Sequence, residues 1–238
     1  MPIKAVLFDM FDTLMLIDKN HEFYSPALMR MYKYLNNKNI NVTFDQFNAI
    51  YIETRDQIYE NLNSRLEEPH FNVRVAKTLK KLGYDYSINS SIVTEATAEF
   101  CEEFMNYVHI DPHAKTSLRQ LFGKYKLGIV SNFAIPECIF KLLKTSKLID
   151  FFEIVIVSAS INKRKPSPEI FQEALRALGV TVEETVFVGD TIDADIEGPK
   201  AIGMKAIYIE RRIQKTEKYL PDQTIKNLAE LPAAIERC

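Results

Sequence analysis

The chain has little cysteine: Cys101, Cys138 and Cys238 are the only three in 238 residues. They stand far apart and match no metal-ligand spacing. This argues against a disulfide framework or a cysteine-built metal centre and predicts free thiols of a reducing compartment. No apolar run approaches the roughly 20 residues that cross a bilayer, so no membrane partner is expected. Neither sign of charge is in excess. The net charge is −2, and nothing points to nucleic acid or an anionic membrane surface. The amino terminus, Met1-Pro2-Ile3-Lys4, runs straight into an apolar stretch without the charged-then-apolar leader of a signal peptide. A cytoplasmic protein is therefore predicted. Glycine is scarce too, and Gly83 is alone between residues 16 and 112.

What remains is ordinary globular material, 47% apolar and 26% charged, long enough for one large domain or two small ones. Residues 3–8 are apolar, too short for a helix, and fit a buried parallel strand. From about 16 to 112 the period turns helical. Leu28, Tyr32 and Leu35 share a face of a helix opening at Ser25-Pro26. Phe47, Ile50, Tyr51, Ile58 and Leu62 outline a second with Thr43 as N-cap; Val75, Leu79 and Leu82 a third ended by Gly83; Ile92, Ala96, Phe100 and Phe104 a fourth. Such stripes are buried by helix packing on helix. After Asp111-Pro112 helix and strand alternate: helix 115–124, strand 126–130, helix 136–146, strand 153–157, helix 168–178 between Ser167 and Gly179, strand 185–188, helix 195–202 and strand 204–209. Alternation of this kind builds βαβ units and a parallel sheet.

The predicted fold is thus α/β: a Rossmann-like, doubly wound parallel sheet core of residues 1–15 and 113–238, with an inserted all-helical domain over 16–112. The insert leaves and re-enters the core through neighbouring linkers near 15–18 and 110–114, an arrangement that makes a hinge.

Four apolar runs end in polar residues. They are Val6-Leu7-Phe8-Asp9; Leu127-Gly128-Ile129-Val130-Ser131-Asn132; Lys165-Pro166-Ser167-Pro168, a short loop after Ile154-Val155-Ile156-Val157; and Val186-Phe187-Val188-Gly189-Asp190-Thr191, with Asp193 and Asp195 close behind. In an α/β sheet ligands bind outside the carboxyl ends of the strands, so these groups are candidates for one crevice.

Asp, Ser-Asn, Lys and Gly-Asp in this order resemble the four motifs of the haloacid dehalogenase-like hydrolase superfamily. The runs 165–171 and 189–204 resemble it as well, and the likeness covers residues 1–14 and about 113–210. It implies a nucleophile at Asp9, a second motif at Ser131, a third at Lys165, a fourth at Asp190, and a mobile helical cap over the site. On a phosphate ester Asp9 would attack and form an aspartyl-phosphate. Mg²⁺ would offset the repulsion between carboxylate and phosphate, held by hard oxygens. The resemblance assigns it the Asp9 and Asp190 carboxylates and the backbone carbonyl of Phe11. Lys165 would neutralise non-bridging oxygens, and Ser131 with Asn132, through its side chain or backbone amide, would hydrogen-bond the phosphate. Asp195 has two readings, an orienting or water-mediated ligand and a helix N-cap.

The pattern departs from the superfamily's phosphatases at one position. They usually carry an acid–base aspartate two residues after the nucleophile, where this chain has Phe11. Asp12 is one residue along and reads as a turn aspartate bonding its own backbone. The superfamily's 2-haloacid dehalogenases have an aromatic residue there, attack carbon and use no metal; Arg30 and Arg55 are then candidates for the halide site. Asp190 weighs the other way, because a second carboxylate beside Asp9 is costly unless a cation lies between them.

The leading expectation is a Mg²⁺-dependent phosphatase acting on a small phosphorylated metabolite. The alternatives are a metal-free 2-haloacid dehalogenase and a non-catalytic protein that binds a ligand or partner. The histidines His21, His70, His109 and His113 show no ligand spacing and are expected at the surface or hinge. Tyr24, Tyr32, Tyr51 and Tyr59 are expected mainly in the helical core. A monomer is compatible with these readings, and the sequence leaves the oligomeric state open.

Overall fold

The computed structural model describes residues 1–18, 22–211 and 219–238, so His21 lies outside the described residues. Strand β1 (Ala5–Phe8) is buried along its whole length. Its side chains divide by the two-residue period of a strand: Val6 and Phe8 enter one apolar cluster, Ala5 and Leu7 the other. Both faces of the sheet are therefore covered, as a run without polar alternation requires.

A short strand β2 (Met15–Ile17) leads to four helices, α1 (Tyr24–Asn37), α2 (Phe44–Leu62), α3 (Phe71–Lys81) and α4 (Ser91–Met105). The apolar stripes read from the sequence are what they bury: Leu28, Leu35, Phe47, Tyr51, Val75, Leu79, Ala96, Phe100 and Phe104 all lie in one core. Thr43 caps α2 as expected, in a reciprocal capping box with Gln46. Helix α1 starts two residues earlier than the Ser25 cap predicts. Phe23 occupies the N-cap position, and Pro26 sits inside the first turn, where a missing N–H costs nothing.

The linkers are not plain connections. β2 pairs antiparallel with β3 (Val108–Ile110), joining Met15 to Ile110 and Ile17 to Val108. The insert is thus four helices on a two-stranded ribbon. Three residues per strand are too few for a periodic signal in the sequence, and each strand is stabilised only by its distant partner.

The chain continues through α5 (Ala114–Leu121), β4 (Lys126–Ser131), α6 (Pro136–Thr145), β5 (Ile154–Val157), α7 (Ser158–Ile161), α8 (Pro168–Leu178) and β6 (Thr185–Gly189). A π-helical segment (Ile192–Glu197), α9 (Gly198–Ala201), β7 (Lys205–Ile209), β8 (Gln223–Ile225) and α10 (Leu231–Glu236) complete it. Strand β8 and α10 are additions to the sequence reading. The sheet is parallel throughout, in the order β5-β4-β1-β6-β7-β8. Numbered within the sheet alone this is 3-2-1-4-5-6, the doubly wound order, with its switch point beside β1. The residues following β1, β4 and β6 therefore share one rim. No helix among the described residues is long and apolar enough to cross a membrane.

Candidate active site

Asp9 follows β1 directly, and its backbone N–H donates to the Val188 carbonyl of β6. Its carboxylate Oδ1 accepts from Lys165 Nζ at 2.6 Å. The same ammonium lies 2.8 Å from Asp195 Oδ1. Carboxylate oxygens of Asp9, Asp190 and Asp195 all fall within 4.8 Å of one another. All four side chains are buried, Asp9 the least so at 8% exposure. Asp190 follows Gly189 at the end of β6, and Thr191 Oγ1 donates to its Oδ1 at 3.2 Å.

Asp195 approaches because Gly189 has no side chain. A Cβ there would lie 2.4 Å from the Asp195 carboxyl carbon, which is overlap. The helical segment opens at Ile192, three residues before the predicted start, and Asp195 lies inside it. Its Oδ2 reaches back to accept the Thr191 N–H at 3.0 Å, and because Thr191 holds the N-cap position, Asp195 is not the cap of this segment. Asp193, on the same segment, is exposed and takes no part.

Burial raises the Asp9 carboxyl above the ordinary carboxylate range; Lys165 pulls it down and Asp190 pushes it up. Burial likewise lifts Asp195, to about 6, against the pull of Lys165. For Lys165 burial is the largest influence and would lower it, but Asp195 and Asp9 together hold it above its usual value. The ammonium stays charged. With every carboxyl ionised the site holds three negative charges against one positive, a net of −2 that a cation would relieve.

Ser131, the last residue of β4, is 1% exposed, and its Oγ has no hydrogen-bond partner among the described residues; neither does the Oγ1 of buried Thr13. Buried orphan hydroxyls are uncommon and call for an explanation. Here a strand-end rim carries a buried carboxylate aimed at by a lysine, further carboxylates suited to a hard cation, and an unengaged hydroxyl.

A family model of haloacid dehalogenase-like hydrolases matches residues 3–203. The chain belongs to that family. It is 30% identical over 210 residues, 88% of its own length and 84% of the other, to the glyceraldehyde 3-phosphate phosphatase of Methanopyrus kandleri. To that of Pyrococcus furiosus it is 30% identical over 241 residues, covering 99% and 94% of the two chains. Its fold is similar to a crystal structure of 2-haloacid dehalogenase from Pseudomonas syringae pv. Tomato DC3000, with a TM-score of 0.77, 24% identity and 99% of each chain covered.

In this hydrolase Asn132 does something the sequence reading did not anticipate. Its Oδ1 accepts the Lys165 N–H at 2.7 Å and its Nδ2 donates to the Lys165 carbonyl at 2.9 Å. The side chain expected on the phosphate instead clasps the loop that presents Lys165. Phe11 packs its ring 5.1 Å from Phe133 and 5.4 Å from Phe104, an apolar wall where an acid–base carboxylate would stand. Asp12 has a left-handed backbone (φ 54°), which Asp tolerates. Its Oδ1 accepts the Ile17 N–H at 3.3 Å, so it is the turn aspartate the sequence suggests.

The arginines expected at a halide site are both engaged within the insert, Arg55 beside Tyr24. Arg30 pairs with Glu99 and Glu103, and Arg55 with its neighbour Asp56. The buried arginine of the insert is Arg74, which the sequence reading passed over; only its place on the buried face of α3, beside Val75, hinted at it. Tyr24, Tyr51 and Tyr59 turn their hydroxyls to it, whereas Tyr32 donates to the Val42 carbonyl. His70 caps α3 through the Asn72 N–H and pairs with Glu137. His109 pairs with Asp18 on the ribbon, and the His113 N–H donates to Asp111.

Proposed function

We propose that this hydrolase is a Mg²⁺-dependent phosphatase acting on a small phosphorylated metabolite. In this reading residues 1–15 and 113–238 are the catalytic core and 16–112 the cap that closes over it. The observation that carries it is the cluster of three buried carboxylates, Asp9, Asp190 and Asp195, gathered on one rim around Lys165. A metal-free dehalogenase has no use for Asp190 beside its nucleophile. The phosphatase names of the archaeal relatives support the same substrate class.

The donor set fits the metal: carboxylate oxygens of Asp9 and Asp190, with the Phe11 carbonyl in the same loop, are hard ligands. Bound Mg²⁺ would supply positive charge where nucleophile and phosphate repel each other. Lys165 holds Asp9 Oδ1 and leaves the other oxygen, Oδ2, to attack phosphorus. The bond from phosphorus to the leaving oxygen breaks as the Asp9 acyl phosphate forms, the leaving oxygen takes its proton from solvent, and water then attacks the phosphorus of the acyl phosphate, releasing inorganic phosphate and returning the carboxylate. Lys165 and the Ser131 hydroxyl meet the non-bridging oxygens, and the Asn132 clasp keeps Lys165 in place. Phe11 offers the leaving oxygen no proton, so esters with good leaving groups are favoured over alkyl phosphates; positioned acid–base catalysis is typically worth about 10²–10⁴-fold. The substrate is a free small molecule, and the free thiols suit the cytoplasm.

Hydrolysis of p-nitrophenyl phosphate with Mg²⁺ and with excess EDTA, beside Asp9→Asn, tests this. The expected result is turnover that EDTA abolishes and that Asp9→Asn lowers by on the order of 10³-fold or more. The aromatic Phe11 favours the dehalogenase as a second reading. No phosphate turnover together with halide release from 2-chloropropionate would establish it instead.

A further inference from the structure

Arg74 is 8% exposed, and among the described residues no carboxylate forms an ion pair with it. Its guanidinium is held by neutral phenols: Nη1 donates to Tyr24 Oη at 3.3 Å and Tyr51 Oη at 3.1 Å, and Nη2 to Tyr59 Oη at 2.9 Å. Glu68 hydrogen-bonds to Tyr59 rather than to Arg74, accepting from its hydroxyl at Oε1 at 2.8 Å, and its charge is shared between Arg164 and Arg74. Nε has no partner among the described residues. A buried guanidinium with no carboxylate in direct contact is costly, and a carboxylate is the group its fork fits best.

Arg74 also faces a space of the right kind. It lines a cavity of about 200 Å³ with Tyr24, Tyr59, Glu68, Phe71, Asn132 and Phe133. That volume suits one ring or a short chain, and most of the wall is aromatic. The cavity adjoins the reaction site. Asn132 is the residue that clasps Lys165, and Phe133 touches the Phe11 ring. Helix α3 is seated on the same loop, since the N–H of Phe71 donates to the Ala134 carbonyl at 2.8 Å. Arg74 comes three residues later, one turn into the helix and on the same side. A phosphoryl group at Asp9 would thus send its leaving group past Phe11 and Phe133 toward Arg74.

We propose that this cavity is a leaving-group subsite in which Arg74 binds a carboxylate, so that the preferred substrate is a small phosphate ester whose leaving group carries one. The proposal rests on the phosphatase reading and narrows it. A site built to pair a buried donor discriminates strongly against an analogue that cannot pair with it, because the donor is then left unsatisfied.

The probes are 3- and 4-carboxyphenyl phosphate, each beside its carboxamide, with p-nitrophenyl phosphate as reference. Acid and amide match in size and depart without protonation, so Phe11 does not bias the comparison. The wild type should prefer at least one acid over its amide by about tenfold or more in kcat/KM, chiefly through KM. Arg74→Met should bring that ratio to within about twofold of one, and Arg74→Lys, which keeps a point charge, should retain part of it. A merely structural role would lower both substrates alike and leave the ratio intact. Equal turnover of acid and amide by the wild type overturns the proposal without any variant, and so does a preference that survives Arg74→Met. Failure of p-nitrophenyl phosphate itself would sink the phosphatase reading and this one with it, whereas its hydrolysis without an acid preference sinks this one alone.

Discussion

Gly189 carries no reactive group, yet the Lys165–Asp195 pair exists because nothing projects from its Cα. In Gly189→Ala the added carbon would meet the Asp195 carboxyl at 2.4 Å and push it off Lys165. We expect a loss of kcat/KM of at least about tenfold and a stability cost of about 1–3 kcal/mol, typical of overpacking. Gly128→Ala is the control. Its Cβ would meet only Ile154 and Leu7 side chains, at 2.6 and 2.8 Å, so the folded fraction should melt earlier while its kcat stays as in the wild type. Steady-state kinetics beside thermal melts separate the two. Asp9, Ser131 and Asp190 stand out because each ends an apolar run, and strand ends face the crevice whatever the rest of the fold does; Lys165, on a loop beyond β5 and α7, stands out only through the motif it resembles. The Asn132 clasp is not legible, since an asparagine after a serine looks the same whether its amide points at a ligand or at another loop. Asp12 and Phe11 show how much one residue matters: a left-handed turn sends the carboxylate to the ribbon and leaves a ring at the site.

Among the elements, the ribbon of β2 and β3 is tied at its base by a side chain from the far end of the chain. Arg211, just beyond β7, donates through Nε to the Asp12 carbonyl at 3.0 Å and through Nη2 to the Thr13 carbonyl at 3.4 Å, and pairs with Asp111 Oδ2 at 2.5 Å. It pins the outgoing and the returning tether together. Asp111 is 2% exposed, so removing its cation leaves a buried charge unpaired. Arg211 itself is partly open to solvent, which screens the pair. Arg211→Ala should therefore cost about 1–3 kcal/mol in urea unfolding, less than the loss of a fully buried pair. Asp111→Asn in the same chain should recover part of it, and additive costs in the double-mutant cycle would show that the two residues are not coupled. The helices around this ribbon were legible from their 3.6-residue stripes, because amphipathic burial repeats over three or four turns. The ribbon, β8 and α10 were not: three to six residues show no period, and what stabilises them is contact with distant chain.

At the scale of the whole molecule, the site's surplus of negative charge works against folding until a cation enters. A cation that binds only the folded state stabilises it by RT ln(1 + [L]/Kd), about 2.7 kcal/mol at a hundredfold excess over Kd. For a chain of this size that is a rise in Tm of about 5–10 °C. Mg²⁺ should raise the melting temperature, EDTA should reverse the rise, and Asp190→Asn should abolish it. An unchanged Tm at millimolar Mg²⁺ would count against the metal site. Local patterning was enough to indicate an α/β core interrupted by helices and the strand ends that carry chemistry, because burial of apolar stripes and exposure of strand ends are local consequences of the residues themselves. Only the tertiary structure decided that Asn132 serves Lys165, that Asp195 shares that lysine with Asp9, and that Arg74 is enclosed by phenols from α1 and α2 beside the Lys165-clasping loop. Those groups lie tens of residues apart, and long-range packing, which leaves no periodic trace in the chain, is what brings them within hydrogen-bonding distance.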